Sequence, residues 1–321
     1  MRGGWIIFGC LFLYLTKTVQ RNDRNTVMDS RSAKFNRWPE MLIILQSVVY
    51  GFGDPISKIA FEVTPVYSMM TVRYSIAFLV CFVLFHKRII NTVKTVPVKA
   101  WLIPGMCIGL TYLLNNVALA LTDATSVAFL RSLSVVITPL FAFLLYRTHY
   151  SRLHILLQIM VLPGLYLLCV RGGLSGFGAG EIVTLAAAAF AAAALVFTKG
   201  YIETVDPVSL TALQAGCSAA LALGGSLLFE GGIHTETTTP VAWLIILYLA
   251  IACTFLGYLM QNLALTRISE RSVALLQTLC PVMTACFAFF LLGERLSAAG
   301  IAGAVIIIIC VAASTAAGGK D

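Results

Sequence analysis

Charge is what this 321-residue chain has least of. Asp, Glu, Lys and Arg make up 11% of it, against 59% apolar residues, whereas a soluble domain carries about 25% charged residues. So few polar side chains cannot coat a water-facing surface of this size. A soluble multidomain enzyme, a nucleic-acid binder and a disulfide-stapled secreted domain are excluded. No Gly-x-x-x-x-Gly-Lys-[Ser/Thr] phosphate loop is present, so there is no sequence signal for a nucleotide engine. The four histidines, His86, His149, His154 and His234, are scattered without a supporting acid, which argues against the alternative of a lipid-modifying membrane enzyme. None of the nine cysteines has a close partner at the spacing of a metal knuckle or redox motif, and they read as small hydrophobes. No cofactor or metal is expected.

What the chain does have is long apolar runs. They fall at about 41–61, 65–86, 101–121, 123–146, 153–171, 180–201, 207–229, 241–265, 269–292 and 297–317, each near the roughly 20 residues of a membrane-spanning helix. The two-residue alternation of a membrane strand is missing from runs such as Ile182–Phe197. The expected fold is an all-α integral membrane protein with ten transmembrane helices. Lys and Arg number 22 against 14 Asp and Glu, and sixteen of them fall on one side if residue 38 starts inside. Basic residues accumulate in cytoplasmic loops, so both ends of the ten-helix unit are expected in the cytoplasm, and the short loops favour a plasma (inner) membrane. Residues 1–37 stand apart as an amino-terminal extension. A non-native start near Met28, an uncleaved anchor and an eleventh helix all remain open for it.

Sliding the chain on itself by 146 residues aligns 112–151 with 258–297 and gives seventeen identities in forty positions, among them the polar matches Asn116 with Asn262, Ser126 with Ser272 and Thr138 with Thr284. Nearer the start the offset is 141, and Glu40, Lys58 and Glu62 fall on Glu181, Lys199 and Glu203. The chain therefore divides into two five-helix repeats, 38–172 and 178–317. Five is odd, so the halves enter the membrane from opposite sides. Inverted repeats are a device of secondary transporters, whose substrate sits near the midplane between halves that rock.

The stretch Gln261-Asn262-Leu263-Ala264-Leu265, then Ser272-Val273-Ala274, Pro281-Val282 and Gly293-Glu294-Arg295-Leu296-Ser297, resembles the EamA-type ten-helix transporters of the drug/metabolite transporter superfamily. The resemblance covers about 280 residues and implies an exporter of a small polar metabolite, such as an amino acid, by alternating access. An exchanger of sugar phosphates or nucleotide sugars is the alternative within the superfamily. Two departures from the pattern stand out: Arg147-Thr148-His149-Tyr150-Ser151 replaces the Gly-Glu-Arg-Leu-Ser turn in the first half, and helix 1 carries Asp54-Pro55.

An ionisable group inside the bilayer costs about 3 kcal/mol on insertion scales and normally faces the bundle or a water-filled cavity. Arg131 lies within helix 4, and its repeat mate is the neutral Gln277. A guanidinium fork matches a carboxylate or phosphate, so Arg131 is expected either to bind an anionic group of the substrate or to pair with Asp54 or Asp123. Ser132, Gln277 and Thr278 are expected beside it on the cavity wall. Arg73, mate of Gln214, is expected to tether or gate helices. Asp54 is a candidate coupling group that exchanges a proton, unless it is neutralised by Lys58 four residues on. Pro55, with Gly51 and Gly53, is expected to break helix 1. Asn116 and Asn262 either tie helices together or line the pathway, and Tyr50 and Tyr74 are candidate substrate contacts. The expected partners are a small-molecule substrate and the lipid bilayer, without nucleic acid. The small residues Ala186–Ala194 suit either tight packing within a half or a homodimer face.

Overall fold

The computed structural model describes residues 37–122, 124–147, 152–169, 178–292 and 297–317. Expectations about residues 1–36, Asp123, the turn at 148–151 and Gly293–Leu296 lie outside the described residues. The described chain is helical, with no strand among the described residues. In order it forms α1 (Trp38–Phe61), α2 (Val66–Thr95), α3 (Val98–Leu121), α4 (Ala124–Ser132), α5 (Ser134–Tyr146), α6 (Arg152–Cys169), α7 (Ala179–Tyr201), α8 (Pro207–Gly225), α9 (Pro240–Tyr248), α10 (Gly257–Leu265), α11 (Glu270–Gln277), α12 (Leu279–Leu292) and α13 (Ala298–Ala317). Segments α4 and α5 share one span. So do α9 and α10, joined by a π-helical stretch Leu249–Leu256, and α11 and α12. Ten spans result, of which eight are both long and apolar enough to cross a membrane among the described residues. The other two are α1, diluted by Gln46, Ser47, Asp54, Ser57 and Lys58, and α6, whose apolar stretch is the shorter Ile155–Leu167.

Local chemistry sets the helix ends. Pro at the first position sacrifices no intrahelical bond, and it opens α8 after the cap Asp206, whose Oδ2 accepts from the Ser209 backbone at 2.9 Å. The start of α2 has no capping side chain of its own. Glu230, at the end of a π turn that extends α8, supplies one from the other half: its carboxylate accepts from the backbone of Tyr67 and Ser68, each at 2.8 Å, and from Ser68 Oγ at 2.7 Å. Negative charge there also meets the positive end of the α2 dipole. Glu230→Ala is therefore expected to cost about 1–2 kcal/mol, measured as a lowered unfolding midpoint in detergent.

The packing repeats itself under exchange of the halves. Span 1 packs on span 9, and span 6 packs on span 4; span 3 packs on span 6, and span 8 on span 1; span 3 packs on span 7, and span 8 on span 2. Spans 2 and 7, 4 and 9, and 5 and 10 pair with their own mates. A pseudo-two-fold relation between halves of five spans produces this pattern, so the fold is two inverted five-helix repeats.

Two sequence expectations about backbone shape are corrected. α2 does not stop near residue 86 but runs 30 residues to Thr95, about 45 Å at 1.5 Å per residue, bending where Phe85 leaves helical geometry (φ −132°, ψ 22°). Helix 1 does not break at Pro55: α1 is continuous across it. The proline lacks an N–H, which frees the Gly51 carbonyl without ending the helix. The interruptions occur instead in spans 4 and 9, at Leu133 and Thr278, where i→i−3 bonds tighten the chain (Leu133 N to Leu130 O at 3.2 Å, Thr278 N to Leu275 O at 3.1 Å).

Candidate functional site

Four helices converge on Arg131. From α4 its Nη2 donates to Asp54 Oδ2 of α1 at 3.0 Å and to Cys280 Sγ of α12 at 3.3 Å, while Nη1 donates to Asn115 Oδ1 of α3 at 3.4 Å. Of the two acids that the sequence offers, Asp54 is the one Arg131 meets here, Asp123 lying outside the described residues. The local pairing of Asp54 with Lys58 gives way to it, and Lys58 points out, exposed, from the last turn of α1.

A second polar cluster faces this one. Gln277 Nε2 of α11 donates to Gln261 Oε1 of α10 at 2.8 Å and to Gln46 Oε1 of α1 at 3.1 Å. Gln46 Nε2 donates to the Gly257 carbonyl at 2.8 Å and lies within 3.3 Å of both Tyr50 OH and Gln261 Oε1. Residues 131 and 277 are repeat mates, as are 115 and 261. The Arg131–Asn115 and Gln277–Gln261 contacts are therefore one interaction built twice, charged in one half and neutral in the other.

Between the clusters lies a cavity of about 70 Å³ whose walls include Ser47, Tyr50, Thr111, Tyr112, Arg131, Ser132, Gln261, Gln277, Thr278 and Cys280. Tyr112 meets Tyr50 edge-on at 5.9 Å and stacks on Tyr258 at 5.5 Å, which gives the polar walls an aromatic corner. A smaller cavity of about 20 Å³ adjoins it, bounded by Asp54, Arg73, Asn115 and Asn116, and sharing Tyr50, Tyr112 and Arg131 with the first. Depth along the helices separates them. Asp54 lies seven residues before the end of α1, Arg73 seven after the start of α2 and Arg131 seven after the start of α4, so this level is about 10 Å from one end of the bundle. Gln261 and Gln277 lie comparably close to the other end. Arg131 sits where the two cavities meet.

Arg73 is 5% exposed. Its Nε donates to Thr254 Oγ1 at 2.9 Å, and its guanidinium rests 5.2 Å from the centre of the Tyr74 ring. Thr254 in turn donates to the Leu249 carbonyl five residues back at 3.0 Å, a span that the π-helical stretch makes available.

The candidate residues therefore separate by place. Tyr50, Arg131, Ser132, Gln277 and Thr278 line the larger cavity; Asp54, Arg73 and Asn116 line the smaller. Pro55 and Lys58 are not on the walls of either. Tyr74 packs against Met70 and Ala222, and Asn262 is fully buried, donating to Gln214 Oε1 at 2.8 Å and Thr211 Oγ1 at 3.0 Å to tie span 8 to span 7. Sequence reasoning missed Gln46, Ser47, Thr111 and Thr254. A signal existed for the first two: Gln46, Ser47, Tyr50, Asp54 and Ser57 recur at helical spacing and form a polar stripe along α1. Among the described residues no cluster of His, Cys, Asp and Glu is suited to a metal ion.

A solved crystal structure superposes on this chain with a TM-score of 0.73, covering 87% of this chain and 97% of that one, at 18% identity, which shows a shared fold. An uncharacterised transporter of Archaeoglobus fulgidus is 25% identical over 274 residues, 85% of this chain and 84% of that protein. A probable amino-acid metabolite efflux pump of Salmonella typhimurium is 36% identical over 136 residues, 40% of this chain and 46% of that protein. The model of the EamA-like transporter family matches residues 37–170 and again 178–316, one match for each half of the bundle. With two inverted five-helix repeats, a cavity between them that polar side chains enter and a family match over nearly all of both, the chain belongs to the EamA-like transporter family and is a multi-pass membrane transporter.

Proposed function

We propose that this transporter exports a small polar metabolite carrying a carboxylate, an amino acid or a close relative, by alternating access. The observation that carries the reading is Arg131, a guanidinium held by one carboxylate at 3.0 Å while lining both cavities. A solute carboxylate can replace Asp54 on the same fork, and the solute's ammonium can take up the displaced Asp54 carboxylate, so that one set of charge-assisted pairs is exchanged for another. The Gln46–Gln261–Gln277 cluster and the tyrosine corner then meet the rest of the solute. Support for an amino acid comes from the Salmonella relative named for amino-acid metabolite efflux. Export rather than uptake, and a plasma (inner) membrane, follow the family resemblance, and cytoplasmic ends follow the distribution of basic residues. In this conformation a cavity of about 70 Å³ suits a solute of a few heavy atoms better than a nucleotide sugar.

The test is a thermal-shift screen of purified protein against amino acids, nucleosides and sugar phosphates. At a hundredfold excess over Kd a true ligand adds about 2.7 kcal/mol to the stability of the folded protein. Stabilisation by amino acids that disappears in Arg131→Gln is the expected result. Stabilisation confined to nucleosides or sugar phosphates, or an undiminished shift in Arg131→Gln, overturns the reading.

A further inference from the structure

Arg73 is the cavity-lining cation that no carboxylate accompanies among the described residues. Its Nε is committed to Thr254 and one face of its fork to the Tyr74 ring, but its two terminal amino groups meet no described acceptor, and the side chain borders the smaller cavity. Asp54, the acid on that wall, is held by Arg131 at 3.0 Å. Burying an unpaired guanidinium is costly unless an opposite charge arrives. The other half does not repeat this: Gln214, the mate of Arg73, is neutral and engaged with Asn262 and Thr198. The charge is therefore not a requirement of the shared scaffold.

Counting charge on the walls of the two cavities sharpens the point. Among the described residues they carry two guanidiniums, Arg73 and Arg131, and one carboxylate, Asp54, which leaves one net positive charge. A simple zwitterion leaves that charge standing; a solute of net charge −1 cancels it. We propose that Arg73 is a second anion subsite, and that the transported solute is a small acidic amino acid. Its α-carboxylate sits on Arg131, its ammonium on Asp54 and its side-chain carboxylate on Arg73, beside the amides of Asn115 and Asn116. This rests on the reading of the larger cavity given above and adds the charge of the solute to it.

Near-isosteric acid and amide pairs isolate that charge. Aspartate with asparagine, and glutamate with glutamine, are titrated against purified protein by thermal shift, in gluconate and in chloride buffers, for the wild type, Arg73→Gln, Arg73→Lys and Arg131→Gln. In the wild type the acid is expected to act at a concentration at least tenfold below its amide in both buffers. Arg73→Gln is expected to bind acid and amide alike, with amide binding retained as the sign of a folded site, and Arg73→Lys to keep a preference for the acid. Equal action of acid and amide on the wild type, which needs no variant to fold, overturns the proposal. So does an acid preference that survives Arg73→Gln. A stabilisation by chloride that depends on Arg73 and erases the acid preference also overturns it, assigning the subsite to a free anion. The reading of the larger cavity fails separately, when Arg131→Gln binds both members of a pair as the wild type does.

Discussion

Asp54→Asn is expected to destabilise the bundle by about 3–5 kcal/mol and to abolish transport, whereas Asp54→Asn combined with Arg131→Gln is expected to restore most of the stability and none of the transport. The first loss follows from leaving a largely buried guanidinium beside neutral partners, the new amide with Asn115 and Cys280, and no counter-charge, since breaking a buried ion pair by removing one charge costs about that much. Removing both charges takes away the uncompensated ion. The double variant also gives the first half the chemistry that the second half already holds stably in Gln277 and Gln261. Equilibrium unfolding of the four proteins in detergent gives the coupling between the two residues directly, and efflux from proteoliposomes gives the activity. A double variant as unstable as Asp54→Asn alone would mean that the pair is not what Asp54 contributes. The same proteins decide whether Asp54 couples transport to a proton. Any residual efflux by Asp54→Asn that keeps the pH dependence of the wild type removes Asp54 from that role.

The sequence discloses the spans and the repeat because both are written in features that no folding event can hide: runs of apolar residues, and identities at a fixed offset. Its local arithmetic is less secure where tertiary contacts compete. Asp54 and Lys58 are correctly spaced for a pair on one helix, yet a guanidinium from α4 offers Asp54 a partner inside the bundle, while Lys58 lies exposed in the last turn of α1. Proline misleads in a related way. Pro55 lies inside a continuous α1, whereas the break at Thr278 follows from Pro281, which cannot donate to the carbonyl of Gln277. The matching break at Leu133 has no such mark, because Val135 stands where the second half has Pro281. Amides are harder still to find than charges. Gln46 carries none and is marked only by the weak polar stripe along α1, yet it closes the cluster that faces Arg131.

Gly51→Ala is expected to cost about 3 kcal/mol or more, at or beyond the upper end of ordinary overpacking, and to stop transport. A methyl group at this position would collide with Met283 Cβ and lie 2.9 Å from both the Met283 carbonyl carbon and Thr284 N. Two of those atoms belong to the backbone of α12, so no side-chain rotation relieves the clash, and α1 has to move away from α12 as a body. The repeat does not foretell this. Ala192, the residue at the same place in the second half, is fully buried and tolerated, so the offset alone would rate alanine harmless at 51. Gly224→Ala is the matched control: nothing lies within 4 Å of its added methyl, and the gain in helix propensity is expected to stabilise by up to about 1 kcal/mol. The seam between α1 and α12 joins opposite halves and carries Asp54 on one side and Cys280 on the other, both in contact with Arg131. Opening it separates the two groups that hold the guanidinium. Unfolding of Gly51→Ala and Gly224→Ala in detergent, read beside efflux from proteoliposomes, tests this. A Gly51→Ala protein as stable and active as the control would show that α1 and α12 are not held together as closely as these distances require.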